Sequence, residues 1–303
     1  MYLRGTGNTV ITGNLYSSWQ LDGSDIACIG NIETLLDYAT VESGQHPTMG
    51  DNCYTHMFYF CTNLTRAPEL PATTLASSCY EDMFYGCTSL THAPELPATT
   101  LADDCYRGMF SYCESLKHAP ALPATTLTSS CYEQMFLGCT SLIQAPELPA
   151  ATLADNCYRH MFSGCTSLAH IPELPAITLA RNCYERMFFE CTSLKLSKTR
   201  TGEYTQEYHI PSSGDGVTAN DALTDMFTST GGTFTGTPEI NKTYYLSSDN
   251  MVARGSDIAN LNGYIKTMID NAECIVPSST PNSSKKFKIT VDDSGAISAT
   301  EVI

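Results

Sequence analysis

Cys79-Tyr80-Glu81-Asp82-Met83-Phe84-Tyr85-Gly86-Cys87, followed by Thr88-Ser89-Leu90-Thr91-His92-Ala93-Pro94-Glu95-Leu96-Pro97-Ala98-Thr99-Thr100-Leu101, is a phrase that the chain writes repeatedly. Cys-Tyr-x-x-Met-Phe-x-x-Cys begins at Cys53, Cys79, Cys105, Cys131, Cys157 and Cys183, each 26 residues after the one before. Five full units and the start of a sixth cover residues 53–194. Self-similarity at such a period marks a stacked-repeat architecture, because a single unit is too small to bury its own apolar face.

Weaker copies lie on both sides. Met49-Gly50-Asp51-Asn52 precedes Cys53 as Leu153-Ala154-Asp155-Asn156 precedes Cys157, and Ala222-Leu223-Thr224-Asp225-Met226-Phe227 repeats the pattern with its first two residues replaced. A polar insertion, 197–220, separates the sixth unit from that last copy at 222–240. The organisation expected is therefore an N-terminal cap over 1–48, a repeat array over 49–240 and a C-terminal module over 241–303. Within the cap, Tyr2-Leu3 and Thr9-Val10-Ile11-Thr12 predict short strands, and Ile32 to Leu36 a helix. In the C-terminal module, 256–272 predicts a capped helix, and the alternation Phe287, Ile289, Val291 predicts a β-hairpin from Lys285 to Ile303. A lone hairpin is marginal, so this one needs the helix, another subunit or a partner to pack on, and is a candidate assembly element.

Inside each unit, Ser78, Asp104, Ser130, Asn156 and Asn182 stand just before Cys-Tyr, where such side chains cap a helix start. Leu101, Cys105, Met109 and Cys113 then recur at four-residue steps beside Tyr106 and Phe110, predicting the apolar stripe of a short helix. The residues between them, such as Arg107 and Gly108, vary from unit to unit and are expected to face solvent. The second half, Leu-x-x-Ala-Pro-x-Leu-Pro, predicts a parallel strand of three or four paired residues, kept short because proline donates no hydrogen bond. Stacking at strand spacing, ~4.8 Å, makes one continuous core.

Read from Phe84 to Pro97, the sequence resembles the BspA-type leucine-rich repeat of bacterial surface proteins, in the 26-residue Met-Phe/Cys variant frequent in gut Bacteroidetes; the resemblance spans residues 49–240. It implies an α/β solenoid: a right-handed leucine-rich-repeat coil with short parallel strands on one face and short helices on the other, capped at both ends. It further implies a non-enzymatic protein of the cell surface, engaged in adhesion or in binding host proteins.

Composition agrees with such a role. Acidic residues outnumber Lys and Arg by 32 to 16, a formal charge of −16, and so large an excess repels a phosphate backbone or an anionic membrane surface. No run of 18 apolar residues is present to span a bilayer. The opening MYLRGTGNTVITGN carries no signal-type apolar region, leaving open a segment of a longer secreted protein or one exported by another route. Hydrolase, metalloprotease and phosphate-loop motifs are missing from the sequence, and no enzyme or cofactor is expected.

Twelve of the 14 cysteines form two columns along the array. Eight residues of helix separate the two in one unit by ~12 Å, beyond the ~7 Å reach of a disulfide. Bridges between neighbouring units stay geometrically open, Cys-x7-Cys is not a zinc spacing, and buried free thiols are the favoured reading. Cys28 and Cys274 lie outside the columns.

Variation between otherwise fixed units marks candidate binding positions. One varied column reads Thr65-Arg66, Thr91-His92, Lys117-His118, Ile143-Gln144 and Ala169-His170; a second runs through Thr55-His56, Glu81-Asp82, Arg107-Gly108, Glu133-Gln134, Arg159-His160 and Glu185-Arg186. Arg66, His92, Lys117, His118, Gln144 and His170 are the candidate ligand-binding residues. His92 and His118 do not make a zinc site, because Arg66 and Gln144 flank them and zinc needs three or four ligands. Glu69, Glu95, Glu147 and Glu173 form an acidic column broken at Ala121, whose like charges must be solvated or screened.

The expected partner is a protein or glycan on a host or bacterial surface. The tail KKFKITVDDSGAISATEV is similar to terminal segments of gut bacteriophage structural proteins, which sets a fibre, receptor-binding or decoration protein of a phage virion beside the cell-surface reading. A structural spacer that binds nothing is the third reading.

Overall fold

A computed structural model of the chain describes residues 3–14, 17–214, 216–253, 275–277, 286–291 and 297–302. They form mostly short strands and turns, with few helices and no closed barrel. The chain divides into two compact units, Met1–Val252 and Ala253–Ile303.

The Cys-Tyr-x-x-Met-Phe-x-x-Cys phrase does not form the expected helix; it is a run of overlapping β-turns. Asn52, Tyr54, His56, Phe58 and Phe60 donate their N–H groups to the carbonyls of Ser77, Cys79, Glu81, Met83 and Tyr85 in the next unit, at 2.7–3.0 Å. The residues between, Thr55, Met57, Tyr59 and Cys61, donate back three positions within their own unit at 3.0–3.3 Å. Alternate amides thus hold the turn and the stack. This arrangement needs a left-handed residue at every fourth position, and Asn52, His56 and Phe60 have φ of 57°, 57° and 56°. Ser78, Asp104, Ser130, Asn156 and Asn182 occupy the same left-handed place in later units, so they are turn residues, not helix caps.

Two residues in each four point inward. Cys79, Tyr80, Met83, Phe84 and Cys87 are all buried, as are their counterparts one unit away. Tyr54, Tyr80, Tyr106, Tyr132, Tyr158 and Tyr184 stack with ring centroids 5.6–5.9 Å apart and planes within 13° of parallel. A second column, Phe58 to Phe188 at the same period, stacks at 5.4–5.8 Å and continues to Phe227 at 5.6 Å. Leu90, Leu96, Ala98 and Leu101 of the second half-unit close the core. The parallel pairing there is thinner than expected: single bridges such as Arg66↔His92, Thr74↔Thr100 and Gln144↔His170 replace ladders in most units. Two prolines per unit remove the donors a longer ladder requires.

Stacking leaves carbonyls open at one end and amides at the other, and both are filled. Ile11 and Thr12 donate N–H groups to the Cys53 carbonyl, the Thr12 hydroxyl to Thr55 and the Trp19 N–H to Met57. Residues 9–12 are therefore an irregular cap and not the expected strand. The helical stretch expected at Ile32 to Leu36 is a 3-10 turn, Ile32–Leu35, followed by a short α-helix, Tyr38–Glu42. At the far end, Tyr184, Arg186, Phe188 and Glu190 donate to Ala222, Thr224, Met226 and Thr228 across the polar insertion. That last turn is closed in its own way: Thr237 and Thr235 hydroxyls accept from Asp225 and Ser229, and the Gly236 carbonyl from Phe227.

Lys195–Ser197 lies between Gly231–Gly232, parallel, and Thr243–Ser247, antiparallel, with Tyr204–His209 beyond the latter. Thr243–Ser247 thus belongs to the first compact unit, and the division falls at Val252 and not at 240. In the second unit, Ile275–Pro277, Lys286–Val291 and Ile297–Val302 form an antiparallel sheet, the last two in the hairpin register Lys286↔Val302 to Val291↔Ile297. The helix expected at 256–272, and Cys274, lie outside the described residues.

Candidate recognition surface

The two varied columns have different environments. In the turn column the side chains alternate in sign from unit to unit and pair with one another. Glu81 meets Arg107 at 2.9 Å; Arg159 sits between Glu133 at 3.0 Å and Glu185 at 2.9 Å; Arg186 reaches Asp225 at 3.2 Å. Hydrogen bonds to Glu185 and Glu133 hold the Arg159 guanidinium charged, against the effect of burial. Burial pushes the Glu81 carboxyl up while Arg107 opposes it. Thr55 and His56 are buried, His56 Nε2 lying 3.3 Å from Asp82. These positions were expected to face solvent; most are half-buried, and their variation keeps opposite charges in contact along the stack.

The pairing makes a measurable difference. Arg159→Met leaves the buried Glu133 and the half-buried Glu185 without their cation and is expected to lower stability by about 1–3 kcal/mol. Lys117→Met, in the other column, should change it by less than about 0.5 kcal/mol. Chemical denaturation of the two variants checks both values.

The strand column is arranged differently. Parallel bridges align Arg66 with His92, His118 with Gln144, and Gln144 with His170, so one residue per unit projects from successive turns of the stack. Arg66, His92 and Lys117 are exposed, and His118, Gln144 and His170 half-buried. Among the described residues, Arg66, Lys117 and Gln144 make no side-chain hydrogen bond or ion pair. His92 Nδ1 lies 2.9 Å from the neighbouring Thr91 hydroxyl. Burial, then His92 and Lys117, pushes the His118 imidazole below its ordinary value, and burial does the same to His170. At neutral pH both therefore stand as neutral rings that can donate and accept. His170 Nδ1 is buried without a hydrogen-bond partner.

Other groupings carry less chemistry. No set of three or more His, Cys, Asp or Glu among the described residues is disposed to hold a metal. Glu69, Glu95, Glu147 and Glu173 are exposed, as is Ala121 where the column breaks. His46 Nδ1 lies 2.8 Å from the buried Glu33 carboxylate, an acid–base pair beside a cleft of about 430 Å³. The thirteen described cysteines are free thiols, and the twelve of the array are buried. Cys87, Cys113, Cys139, Cys165 and Cys191 donate their S–H groups to Phe carbonyls of the preceding unit at 3.1–3.2 Å.

Sequence reasoning missed the ion-pair ladder, although alternating Glu and Arg at one repeat position was its visible signal. It also missed Asn250, whose buried amide accepts from Lys195 N–H at 2.8 Å and donates to the Ser193 and Ala169 carbonyls. Nothing local marks that residue, since its partners lie far away in the chain. No described helix is long and apolar enough to cross a membrane. No protein-family model, no curated protein and no solved structure matches this chain.

Proposed function

We propose that the chain is a non-enzymatic recognition module, a leucine-rich-repeat solenoid of the BspA type, that binds a protein or glycan on a host or bacterial surface. The contact is made by Arg66, His92, Lys117, His118, Gln144 and His170. The observation that carries this reading is the contrast between the columns: one satisfies its charges internally, while the other leaves Arg66, Lys117 and Gln144 uncommitted on a backbone fixed by bridges to the next unit. Polar side chains held on a rigid scaffold at regular spacing suit an extended ligand.

The full chain is to be probed against immobilised glycans and extracellular host proteins, beside the triple variant Lys117→Ala, His118→Ala, Gln144→Ala. The expected result is a ligand whose binding falls at least about tenfold in the variant, the loss of one or two hot-spot contacts, with an unchanged melting temperature. Unchanged binding would move the site elsewhere, and a chain that binds nothing would be a spacer.

The free thiols favour a second setting, assembly in a reducing cytoplasm before release, as for a phage fibre, receptor-binding or decoration protein. Capsid or tail genes beside its own gene would support the virion; an upstream secretion signal would support the cell surface.

A further inference from the structure

The outer positions of the first three units carry an aromatic cluster that neither the core nor the strand column uses. Tyr85 is its centre. Tyr59 stacks on it at 4.9 Å and 23°, Phe60 meets it at 5.4 Å and 70°, and Tyr112 at 5.3 Å and 60°. Phe60 and Tyr112 remain 58% and 41% exposed. Glycine in the following unit makes room for each: a Cβ on Gly86 would lie 2.6 Å from the Phe60 ring, and one on Gly138 the same distance from Tyr112.

The orientation of these rings points to their ligand. Stacking on a sugar asks for one flat platform, whereas rings turned 60–70° about Tyr85 form walls, and a cation is attracted to the face of each. Burial raises the Tyr59 and Tyr85 hydroxyls most; the charge of Asp82 adds to it at Tyr59, and at Tyr85 it adds after Tyr112 and Tyr59. The chain as a whole carries −16.

The molecule uses the same device internally twice, once elsewhere in the stack and once at the edge of this cluster. Arg186 lies over the Phe189 ring at 5.5 Å and donates to Asp225 of the next turn at 3.2 Å. His56 lies 4.9 Å from the Tyr59 ring and 3.3 Å from Asp82 of the next unit. Each sets a basic side chain between an outer ring and a carboxylate. Among the described residues, Phe60, Tyr85 and Tyr112 have rings in these outer columns with no such basic side chain over them.

We propose that Phe60, Tyr85 and Tyr112, next to the His56–Asp82 pair, bind arginine side chains of a basic polypeptide. The site is separate from the strand column and does not depend on its function. Arginine suits it better than lysine, because a planar, weakly hydrated guanidinium stacks on a ring face more readily than an ammonium does.

The test uses the full chain and a labelled peptide of alternating arginine and glycine at near-physiological salt, followed by fluorescence anisotropy. Replacing arginine by citrulline, which has its shape without its charge, should weaken binding at least about tenfold. The double variant Phe60→Ala, Tyr112→Ala keeps the net charge, and should weaken it by a similar factor with an unchanged melting temperature. Phe60→Tyr with Tyr112→Phe should bind as the parent does. If the alanine variant binds as tightly as the parent, only general attraction to an acidic chain is left and the proposal fails. It fails equally if the citrulline peptide binds as well, or if a neutral hexose oligosaccharide binds the cluster and the arginine peptide does not.

Discussion

Raising the pH through 9 to 10 is expected to unfold the stacked units cooperatively, in a range where ordinary proteins retain most of their stability. The cause is twelve thiols buried in two columns. Burial pushes Cys53, Cys131, Cys139 and Cys183 up to about 12 and Cys61 up to about 11, and raises the other seven as well. An unfolded thiol ionises near 8.5. Above that value the unfolded chain releases protons that the folded chain keeps, so stability falls as pH rises. The contribution is fully present below the unfolded value and is lost progressively toward the folded one. One pH unit into this window each thiol costs about 1.4 kcal/mol, and twelve together cost on the order of 15 kcal/mol. That matches the whole stability of a typical domain, about 5–15 kcal/mol. Circular dichroism under argon from pH 7 to 11 would follow the transition. Replacing Cys87, Cys113, Cys139 and Cys165 by alanine should reduce the slope of stability against pH by about a third, in proportion to the thiols removed. Stability that stays level to pH 11 would show thiols already bridged or open to water. Ellman's reagent at pH 7.5 should find the array unreactive when folded and fully reactive in guanidinium, since only the thiolate attacks.

The period and the core were legible in the sequence because a residue repeated every 26 positions meets its own copy. Identity of position becomes contact, as Tyr80 on Tyr106 and Phe84 on Phe110 show. The local conformation was misread at one point. Leu101, Cys105, Met109 and Cys113 recur at strict four-residue steps, and a helix of 3.6 residues per turn would carry such a stripe about 40° further round at every step. Turns that repeat every four residues hold it on one side without drift. The companion signal is chemical: Asn, Asp or Ser stands at the first left-handed position of every unit from Asn52 to Asn182, and glycine stands at later ones, Gly86, Gly108, Gly138 and Gly164; Gly, Asn and Asp are the types that most readily accept positive φ. Read together, spacing and composition describe turns; read for the apolar residues alone, they mimic a helix.

The candidate site was legible to a lesser degree. Variation located both outer columns, but it does not distinguish a side chain that varies with its neighbour from one that varies without restraint. Glu81 pairs with Arg107, and Arg159 with both Glu133 and Glu185, so their signs vary together, whereas Arg66, His92, His118, Gln144 and His170 follow no rule of sign. The aromatic cluster escaped notice for a related reason. Tyr59 and Tyr85 share one repeat position and Phe60 and Tyr112 the next, but neither position is aromatic throughout the array, and the glycines that let Phe60 and Tyr112 lean across are meaningful only beside those rings.

Phe110→Ala is expected to cost about 3–5 kcal/mol, the range for a fully buried ring whose site cannot collapse. Phe110 is completely buried between Phe84 at 5.6 Å and Phe136 at 5.7 Å, with planes within 8° of parallel. Both neighbours are fixed by amide-to-carbonyl bonds through the same turns: Phe84 N–H donates to Met109, and Phe110 N–H to Met135, each at 2.9 Å. The cavity therefore cannot close by sliding one unit toward the next without breaking those bonds. In a stack where each unit touches only its neighbours, the stability of the whole depends on every interface between units. A weakened central interface should let the halves on either side open separately. Hydrogen exchange is expected to show this as a loss of protection centred on the alternate amides Asp104, Tyr106, Gly108, Phe110 and Tyr112, and Ser78, Tyr80, Asp82, Phe84 and Gly86, which donate across the two flanking interfaces, with the end units much less affected. Phe110→Leu should recover about half of the loss, because it refills most of the volume without restoring the ring stack. Phe60→Ala serves as the control: its ring is exposed and belongs to no core column, so it should cost under about 1 kcal/mol. If Phe110→Ala costs no more than that control, the ring column is not what holds consecutive units together, and the stack must rest on its backbone bonds alone.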